Sequence, residues 1–114
     1  MTIDQLQQKI RLFRDERNWM QFHNHKDMAI ALAIEAAELQ ELFLWKQNDE
    51  IEEVAKVKRE RITEEMADIA VYLLELADNL GIDIAAAVDS KLKKNALKYP
   101  VEKARGSSKK YTEL

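Results

Sequence analysis

Cysteine is absent from this chain of 114 residues, and it has only two glycines and one proline. Without thiols there is neither a disulfide framework nor a thiolate metal site. So few glycines and prolines leave little room for turns, and alanine, leucine, glutamate and lysine are abundant. That composition fits an all-helical protein. A strong charge of one sign is also missing. The net charge of −3, with 34% charged residues, gives no general reason to bind a nucleic-acid polymer. No stretch approaches ~20 uninterrupted apolar residues, which excludes a membrane-spanning helix. The opening MTIDQLQQKIRLFRDERNW is charged and amphipathic rather than a signal sequence, so a cytoplasmic location is expected. By length this is one domain. We expect a helical body over 1–100 and an irregular, basic tail over 101–114.

Apolar residues at Ile3, Leu6, Ile10 and Phe13 follow a helical period, with Thr2 as the cap. Trp19 to His25 breaks that period and reads as a loop. A second helix is expected from about Asp27 to Lys46, then a charged stretch from Glu50 to Arg61 that passes from loop into helix. The third helix carries Ile62 to Asn79 and closes at Gly81, which suits a left-handed cap position. Asp83 caps a fourth helix from Ile84 to about Lys98, which Pro100 stops. The second and third helices are apolar on nearly every side, and such helices must be covered on every side. Four short helices cannot do that alone, so a homo-oligomer is expected.

Two acidic pairs interrupt these apolar stretches. Glu35 and Glu38 are spaced i, i+3 beside Met28, Leu39 and Leu42, and Glu65 and Asp68 repeat the spacing beside Ile69, Tyr72 and Leu76. Each carboxylate in a core-facing stripe loses several kcal/mol of hydration. Like charges about 6 Å apart add roughly 3 kcal/mol of repulsion at an effective dielectric near 20. A hard divalent cation with oxygen ligands offsets both costs, and antiparallel neighbouring helices would bring the two pairs face to face. An all-oxygen site favours Mg²⁺, with Mn²⁺ as a substitute. A single pair of this kind is usually a solvated helix face; two pairs in apolar stripes are not so readily dismissed.

Other residues admit two readings each. His23 and His25 lack a third nitrogen or sulfur ligand for zinc, so His23 faces a ligand or satisfies a loop carbonyl. Trp19, Phe22 and Trp45 are core residues or a platform on which a base stacks. Lys91, Lys94, Asn95, Lys98 and Tyr99 form either a solvated basic face at a helix C-terminus or a phosphate clamp. No serine or cysteine is arranged with a base, so water is the expected nucleophile.

The order ExxE, 26 residues, ExxD resembles the signature of the MazG-like, all-α nucleoside triphosphate pyrophosphohydrolases. ERNWMQFH, ELFLWK, EEMADIAVYLLELAD, KNALKYP and SSKKYTEL are similar to the dCTP pyrophosphatase branch, over essentially the whole chain. The resemblance implies a four-helix bundle assembled as a homotetramer of dimers, with Mg²⁺ held by Glu35, Glu38, Glu65 and Asp68. It implies a deoxynucleoside triphosphate, dCTP or a modified dCTP, cleaved between its α- and β-phosphates. Trp19, Phe22, His23 and Trp45 match positions that shape the base and sugar pocket, and Tyr72 a ligand-side position. Lys91, Asn95, Lys98, Tyr99, Lys109, Lys110 and Tyr111 match residues that approach the phosphates. Ile10 departs from the histidine of some eukaryotic relatives, so the base is less firmly implied than the reaction. The alternatives are a MazG-like pyrophosphatase of broad or different base preference, and a non-catalytic helical oligomerisation module.

Overall fold

Capping chemistry sets where three of the six α-helices begin. The Thr2 hydroxyl accepts from Gln5 N–H, and the Gln5 side chain accepts in return from Thr2 N–H at 2.8 Å, a reciprocal box that starts α1 (Ile3–Glu16). Asn24 accepts from Asp27 N–H and starts α2 (His25–Glu41), two residues earlier than the apolar pattern suggested. Glu50 and Lys58 have no capping side-chain bond, yet α3 (Ile51–Val57) and α4 (Arg59–Asn79) follow. Lys58 separates them by turning out of helical geometry, and its Nζ donates to the Leu42 carbonyl at 3.4 Å just past the end of α2. The charged stretch expected to pass from loop into helix therefore holds a 3₁₀ turn, Asn48–Glu50, and then two helices. Gly81 adopts φ 68°, the left-handed conformation expected of it. Asp83 accepts from Ala86 N–H and opens α5 (Ile84–Lys98).

The computed structural model describes residues 1–114 and is all-α. It divides into two units, Met1–Gly81 and Ile82–Leu114. Within the first unit α2 and α4 pack most extensively, and α1 lies on α4. One edge of α1 docks through polar groups spaced one turn apart. Gln7 Nε2 donates to the Leu74 carbonyl at 3.0 Å, and Arg11 Nη1 donates to both Asp78 oxygens at 2.7 Å. The buried apolar set is small: Met28 and Leu42 on and just beyond α2, Val54 on α3 and Ala77 on α4. Ile30, Ile34, Leu44 and Met66 are about half exposed.

In the second unit α5 ends as expected at Lys98. The tail is less irregular than its composition implied. After Pro100 the chain makes a one-turn helix, α6 (Val101–Ala104), and later a 3₁₀ turn, Tyr111–Glu113. Proline ends α5 because it lacks an N–H, yet its fixed φ suits the residue just before a new helix.

Candidate metal centre and adjoining cavity

The i, i+3 spacing on α2 and the length of α4 bring three carboxylates together. Single oxygens of Glu35, Glu38 and Glu65 lie within 4.8 Å of one another. Glu65 is buried, and Glu35 and Glu38 are partly buried. The Oε2 atoms of Glu35 and Glu65 are sealed from solvent without a hydrogen-bond partner. Arg61 is 4.0 Å from the other Glu65 oxygen and is itself largely exposed, so it neutralises little of this charge. The Glu35 carboxyl is pushed up to about 7, first by desolvation and then by Glu38, Glu65 and Asp68. Orphaned, buried carboxylate oxygens converging on one point are what a hard cation satisfies and what an apolar core would not tolerate. This donor set fits a divalent metal ion.

Asp68 stands one turn on from Glu65 and acts on Glu35 through its charge, but it is not one of the three converging ligands. It lines a cavity of about 150 Å³ together with Trp19, His23, Tyr72 and Glu75. A cavity of roughly that volume admits a single six-membered ring. Trp19 contacts the Phe13 edge at 5.8 Å and tilts against His23 at 6.3 Å. Burial and the charges of Glu35 and Asp68 raise the Tyr72 phenol, which keeps its proton as a donor. A larger and almost wholly apolar groove of about 540 Å³, between Leu6, Ile10 and Phe13 of α1 and Val71 and Leu74 of α4, also reaches Asp68.

The remaining candidates are more dispersed. Phe22 sits in the 3₁₀ turn Met20–Phe22, 62% exposed, and Trp45 is 89% exposed; neither lines the cavity. Trp45 also has φ 65°, a left-handed conformation that bulky residues rarely hold. In the second unit Lys98 Nζ lies 4.9 Å from the Tyr111 ring, which meets Tyr99 edge-on at 5.9 Å. Lys91 and Asn95 occupy α5, and Lys109 and Lys110 precede the last turn.

One buried group escaped the sequence reading. Glu75 is 3% exposed, and both its oxygens accept from His23 Nδ1, at 2.8 and 3.0 Å. Its position was legible, because Glu65, Asp68, Tyr72 and Glu75 continue one stripe at spacings of three and four.

A model of the MazG-like family matches residues 30–114. The chain belongs to that family. Among curated MazG-like relatives, dCTP pyrophosphatase 1 of Homo sapiens and of Bos taurus are each 40% identical over 115 residues, 99% of this chain and 68% of theirs. The Mus musculus protein of the same name is 39% identical over the same shares. A crystal structure of a pyrophosphatase from Archaeoglobus fulgidus superposes with a TM-score of 0.82 at 41% identity, covering 85% of this chain and 91% of that one. These relatives bear out the branch that the sequence blocks pointed to, and the all-α class with it.

Proposed function

We propose that this MazG-like chain is a Mg²⁺-dependent pyrophosphohydrolase that converts dCTP, or a modified dCTP, to dCMP and pyrophosphate, and so clears the nucleotide pool. Mn²⁺ is the expected substitute metal. The single observation that carries this reading is the convergence of Glu35, Glu38 and Glu65, with two orphaned oxygens, beside a ring-sized cavity. The relatives' name, dCTP pyrophosphatase 1, points to the substrate.

Glu35, Glu38, Glu65 and Asp68 would hold the metal. Held there, a divalent ion would supply charge neutralisation for the triphosphate and acidify the attacking water. Phosphoryl transfer otherwise asks mainly for positioning and charge neutralisation, and the side chains here are suited to both. The water oxygen bonds to the α-phosphorus as the bond to the α,β-bridging oxygen breaks; pyrophosphate leaves and the water proton passes to a carboxylate. Glu35 and Glu38, the α2 members of the carboxylate cluster, are the candidates to orient that water. The Tyr72 phenol, kept protonated, offers a donor to the ligand, while Trp19 and His23 wall the cavity. Trp45 and Phe22, exposed and outside the cavity lining, would extend the base pocket only once a nucleotide is bound. Lys91, Asn95, Lys98, Tyr99, Lys109, Lys110 and Tyr111 take the phosphates.

The same reading includes assembly as a tetramer built from dimers, supported by the half-exposed Ile30 and Ile34 on α2, Met66 on α4 and Leu44 in the turn after α2, which need cover. The domain reading becomes a catalytic body over 1–100 and a basic tail over 101–114 that closes on the phosphates. Pyrophosphate release measured across the four dNTPs, dUTP and 5-substituted dCTP tests the proposal. We expect cytosine triphosphates to be preferred and Glu38→Gln to abolish turnover with helicity unchanged. Equal rates on all bases favour the broad-specificity alternative. Stabilisation by Mg²⁺ with no release from any substrate favours the non-catalytic one.

A further inference from the structure

The buried carboxylate Glu75 plays no part in the metal cluster, yet it is among the least exposed residues of the chain. It belongs to a chain of polar contacts that crosses three elements. Arg14 Nη1 of α1 donates to Asn79 Oδ1 at 3.1 Å, Asn79 Nδ2 donates to Glu75 Oε2 at 3.2 Å, and His23 Nδ1 meets both Glu75 oxygens. Arg14 is itself buried; its Nε donates first to Asp15 Oδ1 at 2.8 Å, and the Glu75 charge acts on it more weakly. A carboxylate cannot donate, so the proton in the His23–Glu75 contact resides on Nδ1. In the neutral ring this leaves Nε2, on the opposite side of the imidazole, as a bare acceptor. His23 and Glu75 both line the ring-sized cavity with Trp19, Tyr72 and Asp68.

We propose that Glu75 is a positioning residue for the nucleoside: it locks His23 in the Nδ1–H tautomer so that Nε2 accepts a hydrogen bond from the ligand. The inference rests on the nucleotide reading above and deepens it. The ligand chemistry is a nucleoside donor, which is either the exocyclic amine of cytosine or the sugar 3′-hydroxyl. The tautomer of a histidine is set by what its other nitrogen bonds, so Glu75 acts on the ligand only through His23. An amine at the pyrimidine 4-position can donate to Nε2, whereas the carbonyl of uracil cannot.

Two readouts test this. The chain has only two histidines, so ¹⁵N-histidine labelling gives His23 ring signals with His25, at the exposed start of α2, as the internal control. Two-bond ¹H–¹⁵N spectra of the wild type are expected to show the Nδ1–H form for His23. Glu75→Gln, whose amide oxygen still accepts from Nδ1, should keep that form; Glu75→Leu should lose it. In kinetics with Mg²⁺ and dCTP, Glu75→Leu should raise KM about 10-fold with kcat within about 3-fold, and Glu75→Gln should restore most of the loss. In a His23→Ala background Glu75→Leu should add nothing further.

Comparing dCTP with dUTP and with 2′,3′-dideoxy-CTP tells the two donors apart. The wild-type preference for the donor that His23 reads should collapse toward unity in Glu75→Leu, while the other preference persists. Survival of both preferences, additive effects of the His23 and Glu75 changes, or a wild-type His23 in the Nε2–H form would each overturn the proposal. The tautomer measurement needs no turnover, so it separates a failure of this inference from a failure of the hydrolase reading.

Discussion

Replacing Glu35 by glutamine should stabilise the metal-free protein and remove its response to metal. Oxygens of Glu35, Glu38 and Glu65 lie within 4.8 Å. Two full charges at that separation repel by about 3.5 kcal/mol at an effective dielectric near 20. The rise of the Glu35 carboxyl from its ordinary 4.5 to about 7 corresponds to about 3 kcal/mol at most, at 1.36 kcal/mol per tenfold change. Solvent screening at this partly exposed residue reduces the realised figure to about 1–2 kcal/mol. Because the carboxyl is raised in the folded chain, its contribution is whole below pH 4.5 and is lost as pH rises through about 7. Glu35→Gln removes that loss. At pH 8 without metal its midpoint should exceed the wild type's by roughly 5–10 °C, at about 5 °C per kcal/mol, and the gap should close by pH 5. Saturating Mg²⁺ should reverse the ranking, since a ligand at 100 times its Kd stabilises by about 2.7 kcal/mol and the variant has lost a ligand. Thermal melts at matched protein concentration, with EDTA or Mg²⁺, make the comparison. A variant less stable than wild type at pH 8 in EDTA, or one that gains as much from Mg²⁺, would refute the reasoning.

Met28 on α2 is 2% exposed; Met28→Ala should cost about 2–5 kcal/mol in denaturant unfolding through the cavity it leaves. Ile34 is 53% exposed, and if a second copy covers it, Ile34→Glu should shift the light-scattering mass toward a smaller species while Mg²⁺ still binds. Trp45 holds φ 65° almost fully exposed. Trp45→Gly should change stability by less than about 1 kcal/mol, because the conformational relief offsets the lost contacts, yet raise KM for dCTP. A stability loss well beyond that, with KM unchanged, would place Trp45 in the fold rather than in the ligand's path.

The helices and the carboxylate cluster were legible because both depend on a local period. Glu35 and Glu38 share the stripe of the buried Met28 and Leu42, and that spacing can be read without coordinates. Helix starts were less legible where a cap competed with the apolar pattern, as Asn24 does at the head of α2. Lys58 shows the opposite case, a helix break with neither glycine nor proline, sustained by a bond to a carbonyl sixteen residues away. Glu75 lay on the stripe already recognised but was passed over. Its role depends on His23, fifty-two residues distant in sequence, and no periodicity reports such a contact. Arg14 reads as one more charge on an amphipathic helix; only the packing of α1 on α4 buries it.

Hydrolysis of dCTP in H₂¹⁸O, with Mg²⁺ and product identification by mass spectrometry, tests the central claim most directly. Attack of water on the α-phosphorus under the control of Glu35, Glu38, Glu65 and Asp68 predicts dCMP carrying one ¹⁸O, unlabelled pyrophosphate, and neither product from Glu38→Gln. Labelled pyrophosphate, release of dCDP and orthophosphate, or undiminished turnover by Glu38→Gln would contradict it.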